Sequence, residues 1–245
     1  ERYKEEIGKE LPEADVILGI GSNDQIVEAI NKAMNGERVM EFAEKTELSL
    51  EGRRILANES YFSYLKIAEG CDNFCTYCAI PSIRGRFRSR KIEDIVAEAK
   101  DLAAMGVTEL NVVAQDTTRY GEDNYGRLML PELLKELVKI PQIKWIRLLY
   151  CYPERVTDEL IELMATEDKI VKYLDMPLQH SAPNVLKRMN RPKDISAVEA
   201  LIDKIRERVP GVVLRTTLIA GFPGETQEEF VDLCNFVEKI RFERL

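Results

Sequence analysis

The stretch AEGCDNFCTYCAIP (68–81) places three cysteines within eight positions, Cys71, Cys75 and Cys78, spaced C-x3-C-x2-C with Tyr77 just before the last. Structural zinc wants four ligands, usually as two Cys or Cys/His pairs separated by a dozen or more residues. The only histidine is His180, far along the chain. The other two cysteines, Cys151 in RLLYCYP and Cys234 in VDLCNFV, stand alone in apolar surroundings and read as packing cysteines. A redox dithiol needs only the C-x2-C of Cys75 and Cys78 and leaves Cys71 idle. An iron–sulfur cluster held by three thiolates uses all three. On a cubane of four irons, three cysteines leave one iron without a protein ligand. An open position is what lets a catalytic metal take a small molecule.

Around that stretch, the 245 residues are 45% hydrophobic and 32% charged, with a formal net charge of −8. This is enough chain for one large domain or one and a half smaller ones. No run of 18 apolar residues offers a membrane span. Five cysteines, three of them clustered, fit a reducing, cytoplasmic setting better than a secreted disulfide framework. The acidic balance gives no global basic face for nucleic acid. Locally it reverses: RGRFRSRK holds Arg84, Arg86, Arg88, Arg90 and Lys91, either a solvated loop or a contact for an acidic or phosphate-rich partner. The opening ERYKEEIGKEL is no signal peptide. The chain lacks an initiator Met, starts inside a helix-like pattern and ends at EKIRFERL with no stop signal, so it reads as a fragment of a longer protein.

Residues 1–10 read as helix and ADVILGIG (14–21) as a short buried strand. A helix follows over SNDQIVEAINKAMNG, capped by Ser22 or Asp24, with Ile26, Val27, Ile30 and Met34 on one face and Gly36 stopping it. Residues 1–36 are thus the closing part of a small α/β domain, and 37–60 a polar linker. From Tyr61 strands alternate with amphipathic helices. The strands are 64–70, 109–116, 145–150, 173–179 and 212–221. The helices are 92–106, 130–140, 157–167, 182–190, 195–209 and 226–240. Repeated βα units imply a parallel sheet with helices outside. Five strands are too few for a closed eight-stranded barrel. The expectation over 61–245 is an α/β fold, a partial parallel barrel, with a sixth strand beginning at its end. In such folds the chemistry sits beyond the carboxyl ends of the strands. The loops there hold the cysteines, AQDTTRYG, PLQHS and AGFPGET.

The cysteine motif with Tyr77 resembles the signature of the radical S-adenosylmethionine (SAM) superfamily, over roughly residues 61–245. The resemblance implies a 4Fe-4S cluster on Cys71, Cys75 and Cys78, whose open iron is chelated by the amino and carboxylate groups of SAM. It also implies an external electron donor and a 5′-deoxyadenosyl radical that abstracts a substrate hydrogen, the barrel shielding it. YLKIAEGCDNFCTYCAIPSIRGRFRSR, VVAQDTTRYG, MPLQHSAPNVLKRMNR and TTLIAGFPGET are similar to the methylthiotransferases within that superfamily. AQDTTRYG and RLLYCYPERVTDELIELMA look like the branch that modifies the β-carbon of an aspartate in a small-subunit ribosomal protein. The partner would then be that protein or the small ribosomal subunit. The branch that modifies a tRNA adenosine is the alternative; there a GQNV-type turn and a Ser-His-Pro are expected instead, and tRNA would be the partner.

Carried over by position, the resemblance places the backbone near Tyr77 at the adenine and Gln115 and Asp116 at the methionine part of SAM. Gln179, His180 and Arg215 would reach the ribose or carboxylate, with Ile219, Gly221 and Phe222 flanking the adenine. Each has a plainer reading. Asp116-Thr117-Thr118 caps a helix, His180 is a satisfied structural residue, and Pro223-Gly224 makes a tight bend. KRMNR (187–191) is then only a basic surface patch. The family also carries an N-terminal domain with three further cysteines for a second 4Fe-4S cluster, and a small C-terminal β-barrel domain. No cysteine precedes Cys71. The second cluster is therefore expected only in the full-length protein, and the fragment is expected to cleave SAM without completing methylthiolation.

Overall fold

A computed structural model describes residues 3–45, 49–52, 54–56 and 61–245. The stretch from 61 onward forms one five-stranded parallel sheet of β3 (Phe62–Lys66), β6 (Glu109–Val113), β7 (Trp145–Leu148), β8 (Ile170–Asp175) and β9 (Val213–Arg215), in that spatial order. The strands lie side by side in chain order. Between successive strands the chain crosses over through α4 (Ile92–Ala104), α5 (Leu130–Leu137), α6 (Asp158–Thr166), then α7 (Pro183–Arg188) with α8 (Ile195–Arg208). The helix α9 (Gln227–Ile240) follows β9. This is the expected partial parallel barrel. Arg244 forms a parallel bridge to Arg215, where a sixth strand was expected to begin.

Strand alternation divides the sheet into two chemically different faces. Leu65, Val112, Leu148, Leu174 and Leu214 are register partners across all five strands, and each is 0% exposed. They pack in one apolar cluster with Ile95 and Leu102 of α4, Leu133 and Leu134 of α5, Leu160 of α6, and Ile202 and Ile205 of α8. The alternate positions carry Tyr64 and Lys66, Asn111, Arg147, Tyr173 and Asp175, and Arg215 on the opposite face. There Arg147 pairs with Glu109 at 2.8 Å and lies over the ring of Tyr173. The helix-covered face stabilises the fold, and the other is left for polar work. Helix entry is fixed locally. Thr226 and Glu229 cap α9 reciprocally, and Asp194 and Thr157 cap α8 and α6.

The amino-terminal part departs further from expectation. It runs α1 (Lys4–Glu10), β1 (Val16–Leu18), α2 (Ile26–Met34) and β2 (Val39–Glu41), with β1 and β2 parallel. β2 falls within the stretch read as linker. Three residues are too few to show a strand period, and the buried Val39 is its only strong signal. The rest of the linker reading falls largely on residues outside the described ones. Ser22 and Asp24 do not cap α2. A 3₁₀ turn over Ile20–Gln25 comes first, and the Ser22 hydroxyl accepts from the Ala43 amide at 2.9 Å instead. The apolar face of α2 is exposed, Val27 by 68% and Met34 by 82%.

Leu174 is fully buried within the helix-covered layer. Leu174→Ala is expected to destabilise the chain by about 2–5 kcal/mol, the cost of a core cavity, measured by urea denaturation. Met34→Ala, on the exposed helix face, is expected to leave the midpoint nearly unmoved.

Candidate active site

The three cysteines lie on a loop that departs from the sheet after β3. The chain passes through β4 (Ala68–Glu69), turns at Gly70, and runs through the cysteines to α3 (Ile80–Arg84). It returns antiparallel to β4 as β5 (Arg88–Ser89). Gly70 has φ +80°, and a Cβ there would collide with the carbonyl of Arg86. Only glycine combines that backbone with that approach. Cys71 donates its amide to Gly85 O at 3.3 Å, closing the root of the loop.

The arginine-rich segment 84–91 serves this root. Arg86 pairs with Asp72 at 2.7 Å, and Arg84 approaches Glu69 at 3.5 Å. Arg90, 4% exposed, is held between Glu51 at 2.5 Å and Glu98 at 2.6 Å. Three of the five cations that suggested a solvated loop or a partner contact are therefore engaged with carboxylates of the fold.

Cys71, Cys75 and Cys78 line a cavity of about 700 Å³ beyond the carboxyl ends of the strands. Tyr77, Gln115 and Gln179 share its wall, as do Tyr64 and Lys66 from β3. Burial pushes the Cys71 thiol up, and the nearby Asp116, Cys75 and Cys78 add to it. Gln115 donates Nε2 to Glu69 at 3.0 Å, while its Oε1 is buried with no hydrogen-bond partner among the described residues. A buried acceptor left open on a cavity wall asks for a donor from whatever fills the cavity.

The remaining positions singled out from the sequence do not line this cavity. Asp116 is 0% exposed and accepts from Asn73 Nδ2, Arg155 Nη1 and Thr118 Oγ1, each at 2.9 Å. It braces the cysteine loop from behind. His180 is also 0% exposed; its Nδ1 accepts from the Ala182 amide at 2.9 Å, and its Nε2 lies 3.4 Å from Glu225. Ile219 and Phe222 pack against Ala182, Val185 and Met189. Gly221 donates its amide to Glu225 in the turn before α9. Arg215 lies 3.7 Å from Asp175 and opens on a different cavity, beside β9 and α9.

Other wall residues were not assigned to the site from the sequence. Arg191 stacks over the ring of Tyr152, 4.0 Å from its centroid, and donates to Pro177 O at 2.6 Å. It has no carboxylate within ion-pair distance among the described residues. Cys151, expected only to pack, is fully buried yet also reaches the wall, and burial first, then Asp175 and Asp116, raises its thiol well above the usual range.

The donors fit a cluster with an added ligand. Among the described residues no three His, Cys, Asp or Glu side chains are placed to hold a single metal ion. Three thiols, an orphaned acceptor and a guanidinium with no carboxylate partner among the described residues, all around one cavity, match a cluster that leaves room for a polar molecule.

Residues 65–237 match the radical SAM superfamily, and the chain belongs to it. Over its whole length the chain is 54% identical to the ribosomal protein uS12 methylthiotransferase RimO of Caldanaerobacter subterraneus subsp. tengcongensis, covering 56% of that protein. It is 51% identical to the protein of the same name from Clostridium tetani, covering 55% of it. The chain thus spans about half the length of the curated relatives it matches. Among solved structures it resembles the radical SAM methyltransferase TsrM of Kitasatospora setae, determined with cobalamin and a 4Fe-4S cluster. The TM-score is 0.58 at 21% identity, over 74% of this chain and 35% of that one. It also resembles coproporphyrinogen III oxidase HemN of Escherichia coli, with a TM-score of 0.53 at 21% identity, over 74% and 42% of the two chains. At these identities the likeness is one of fold.

Glu69 gives the site a pH dependence. Burial alone would raise its carboxyl. Lys66 at 2.8 Å, Arg84 and the Gly70 amide outweigh that and hold it below the ordinary range. A depressed carboxyl stabilises the fold above its unfolded value of about 4.3 and loses that contribution as pH falls through the folded value. Glu69→Gln is therefore expected to lower stability at neutral pH and to flatten the loss of stability in acid. Urea denaturation at a series of pH values measures both.

Proposed function

We propose that this chain is the radical-generating part of a methylthiotransferase acting on the β-carbon of an aspartate in ribosomal protein uS12. The observation that carries the reading is the single cavity on which all three cysteines of the C-x3-C-x2-C loop open. The names of the relatives support methylthio transfer and uS12; the aspartate β-carbon follows from the sequence resemblance. In this reading Cys71, Cys75 and Cys78 hold a 4Fe-4S cluster with one open iron. With SAM and an electron from an external donor, the cluster supplies a radical able to take hydrogen from an unactivated carbon.

The chain's own residues then bind and shield. Gln115 offers its open Oε1 to an amino group, and Arg191 offers guanidinium donors to a carboxylate, the two ends of a methionine head. Tyr77, Tyr152 and Gln179 wall the cavity against water. Asp116, Arg155 and Asn73 keep the loop in place. A second 4Fe-4S cluster finds no second cysteine triad among the five cysteines here. A protein substrate accords better than RNA with the net charge of −8 and with Arg84, Arg86 and Arg90 tied to Glu69, Asp72, Glu51 and Glu98.

Anaerobic loading with iron and sulfide should give about four of each per chain. SAM should then perturb the electron paramagnetic resonance of the reduced cluster, and 5′-deoxyadenosine should form on reduction. Cys75→Ala is expected to lose the cluster and Cys234→Ala, Cys151→Ala to keep it. Zinc in protein prepared without air, or a cluster indifferent to SAM, would sink the reading. Arg191→Gln should weaken SAM binding about tenfold or more, since hydrogen bonds to charged groups are worth about 1.5–3 kcal/mol. Isothermal titration to the loaded protein reads this.

A further inference from the structure

The cysteine loop has little regular structure of its own between Cys71 and Cys78. Part of what fixes it comes from the other side of the cavity. The segment that ends α7 runs through Arg188, Met189 and Asn190, and it meets the loop along residues 73–76. Asn190 donates Nδ2 to Asn73 O at 3.2 Å and to Phe74 O at 3.1 Å. Thr76 donates its amide to Met189 O at 3.1 Å and its hydroxyl to Arg188 O at 2.9 Å. Every tied residue lies between two of the three cysteines.

The backbone at this contact is unusual on both sides. Phe74 has φ +48° and Asn190 φ +55°. A bulky residue in the left-handed region is a genuine outlier, and such a conformation persists only where its surroundings impose it. Here the carbonyl of the strained Phe74 is caught by Asn190. Asparagine suits the position twice: it enters the left-handed region more readily than most residues, and its amide carries two N–H donors for two carbonyls. The segment itself is anchored. Met189 is fully buried against Ala182 and Val185, and Arg188 is paired with Glu229 of α9 at 2.9 Å.

We propose that Asn190 is a positioning residue for cluster binding. Its side chain, with the Met189 and Arg188 carbonyls, clasps the loop so that Cys71, Cys75 and Cys78 face the cavity before iron arrives. The proposal rests on the reading of those cysteines as cluster ligands. The sequence showed this segment only as KRMNR, a basic patch; the working group is its one uncharged polar residue.

The chain is loaded anaerobically with iron and sulfide, and the rate at which a chelator strips the iron is followed by loss of visible absorbance. Asn190→Gly keeps the left-handed backbone and removes the donors. Asn190→Asp keeps the backbone and sets a carboxylate against two carbonyls. Thr76→Val removes the hydroxyl tie. Each is expected to lose iron faster than the parent, Asn190→Asp on the order of 10-fold, as for partners that orient metal ligands. The reduced clusters should also give broadened paramagnetic resonance lines, and the metal-free variants should melt with the metal-free parent. Thr166→Val, which removes a hydroxyl bond within α6, should keep the parent's rate. Asn190→Gly and Asn190→Asp losing iron at the parent's rate would overturn the clasp. So would a fall in the melting temperature of their metal-free chains, since the effect would then belong to the fold at large. A parent that takes up no iron overturns the cluster reading and the clasp with it.

Discussion

A wholly buried carboxylate in the turn beyond β6 holds the cysteine loop to the barrel. Asp116 binds Asn73 of the loop, Arg155 beyond β7 and Thr118 of its own turn. Burying that charge is costly, and it is tolerable only because an arginine and two neutral donors share it. Removing one partner of such a pair typically costs about 3–5 kcal/mol. Arg155 also lies 5.3 Å from the centroid of Tyr152, which Arg191 covers at 4.0 Å. One ionic contact thus ties the position of the thiols to an aromatic wall of the cavity.

The barrel keeps stability and chemistry apart. The five register side chains from Leu65 to Leu214 are sealed under the helices and carry no polar atom. The opposite face and the loops above it carry the Glu109–Arg147 pair, the cysteine hairpin, and the oxygens Asp175 Oδ1 and Gln115 Oε1, which have no hydrogen-bond partner among the described residues. Polar groups without partners can persist on that face because the helix-packed side supplies the folding free energy.

Much of this was legible in the sequence, for reasons that particular residues make plain. All five barrel strands and their helices were found, since apolar runs such as ELNVV and WIRL alternate with strongly amphipathic helices. The cysteines declared themselves because their spacing is local. β4, β5 and β2 escaped, being two or three residues long, too short to hold a period. Tyr152 and Arg191 escaped for a different reason. They reach the cavity from irregular chain after β7 and α7, where no repeat tells which way a side chain turns. His180 and Arg215 show the converse. Proximity to a strand end suggested a place at the mouth, but burial against Glu225 and the neighbour Asp175 took them elsewhere.

The two-faced strands also limit how this chain can change over generations. Adding or deleting one residue inside β6 or β8 would swing Val112 or Leu174 toward the ligand side and drive Asn111 or Asp175 beneath the helices. Length variation is therefore confined to the connections. The tight turn at Gly70 closes one of those as well, so descendants of this sequence have freedom mainly in the segments farthest from the thiols.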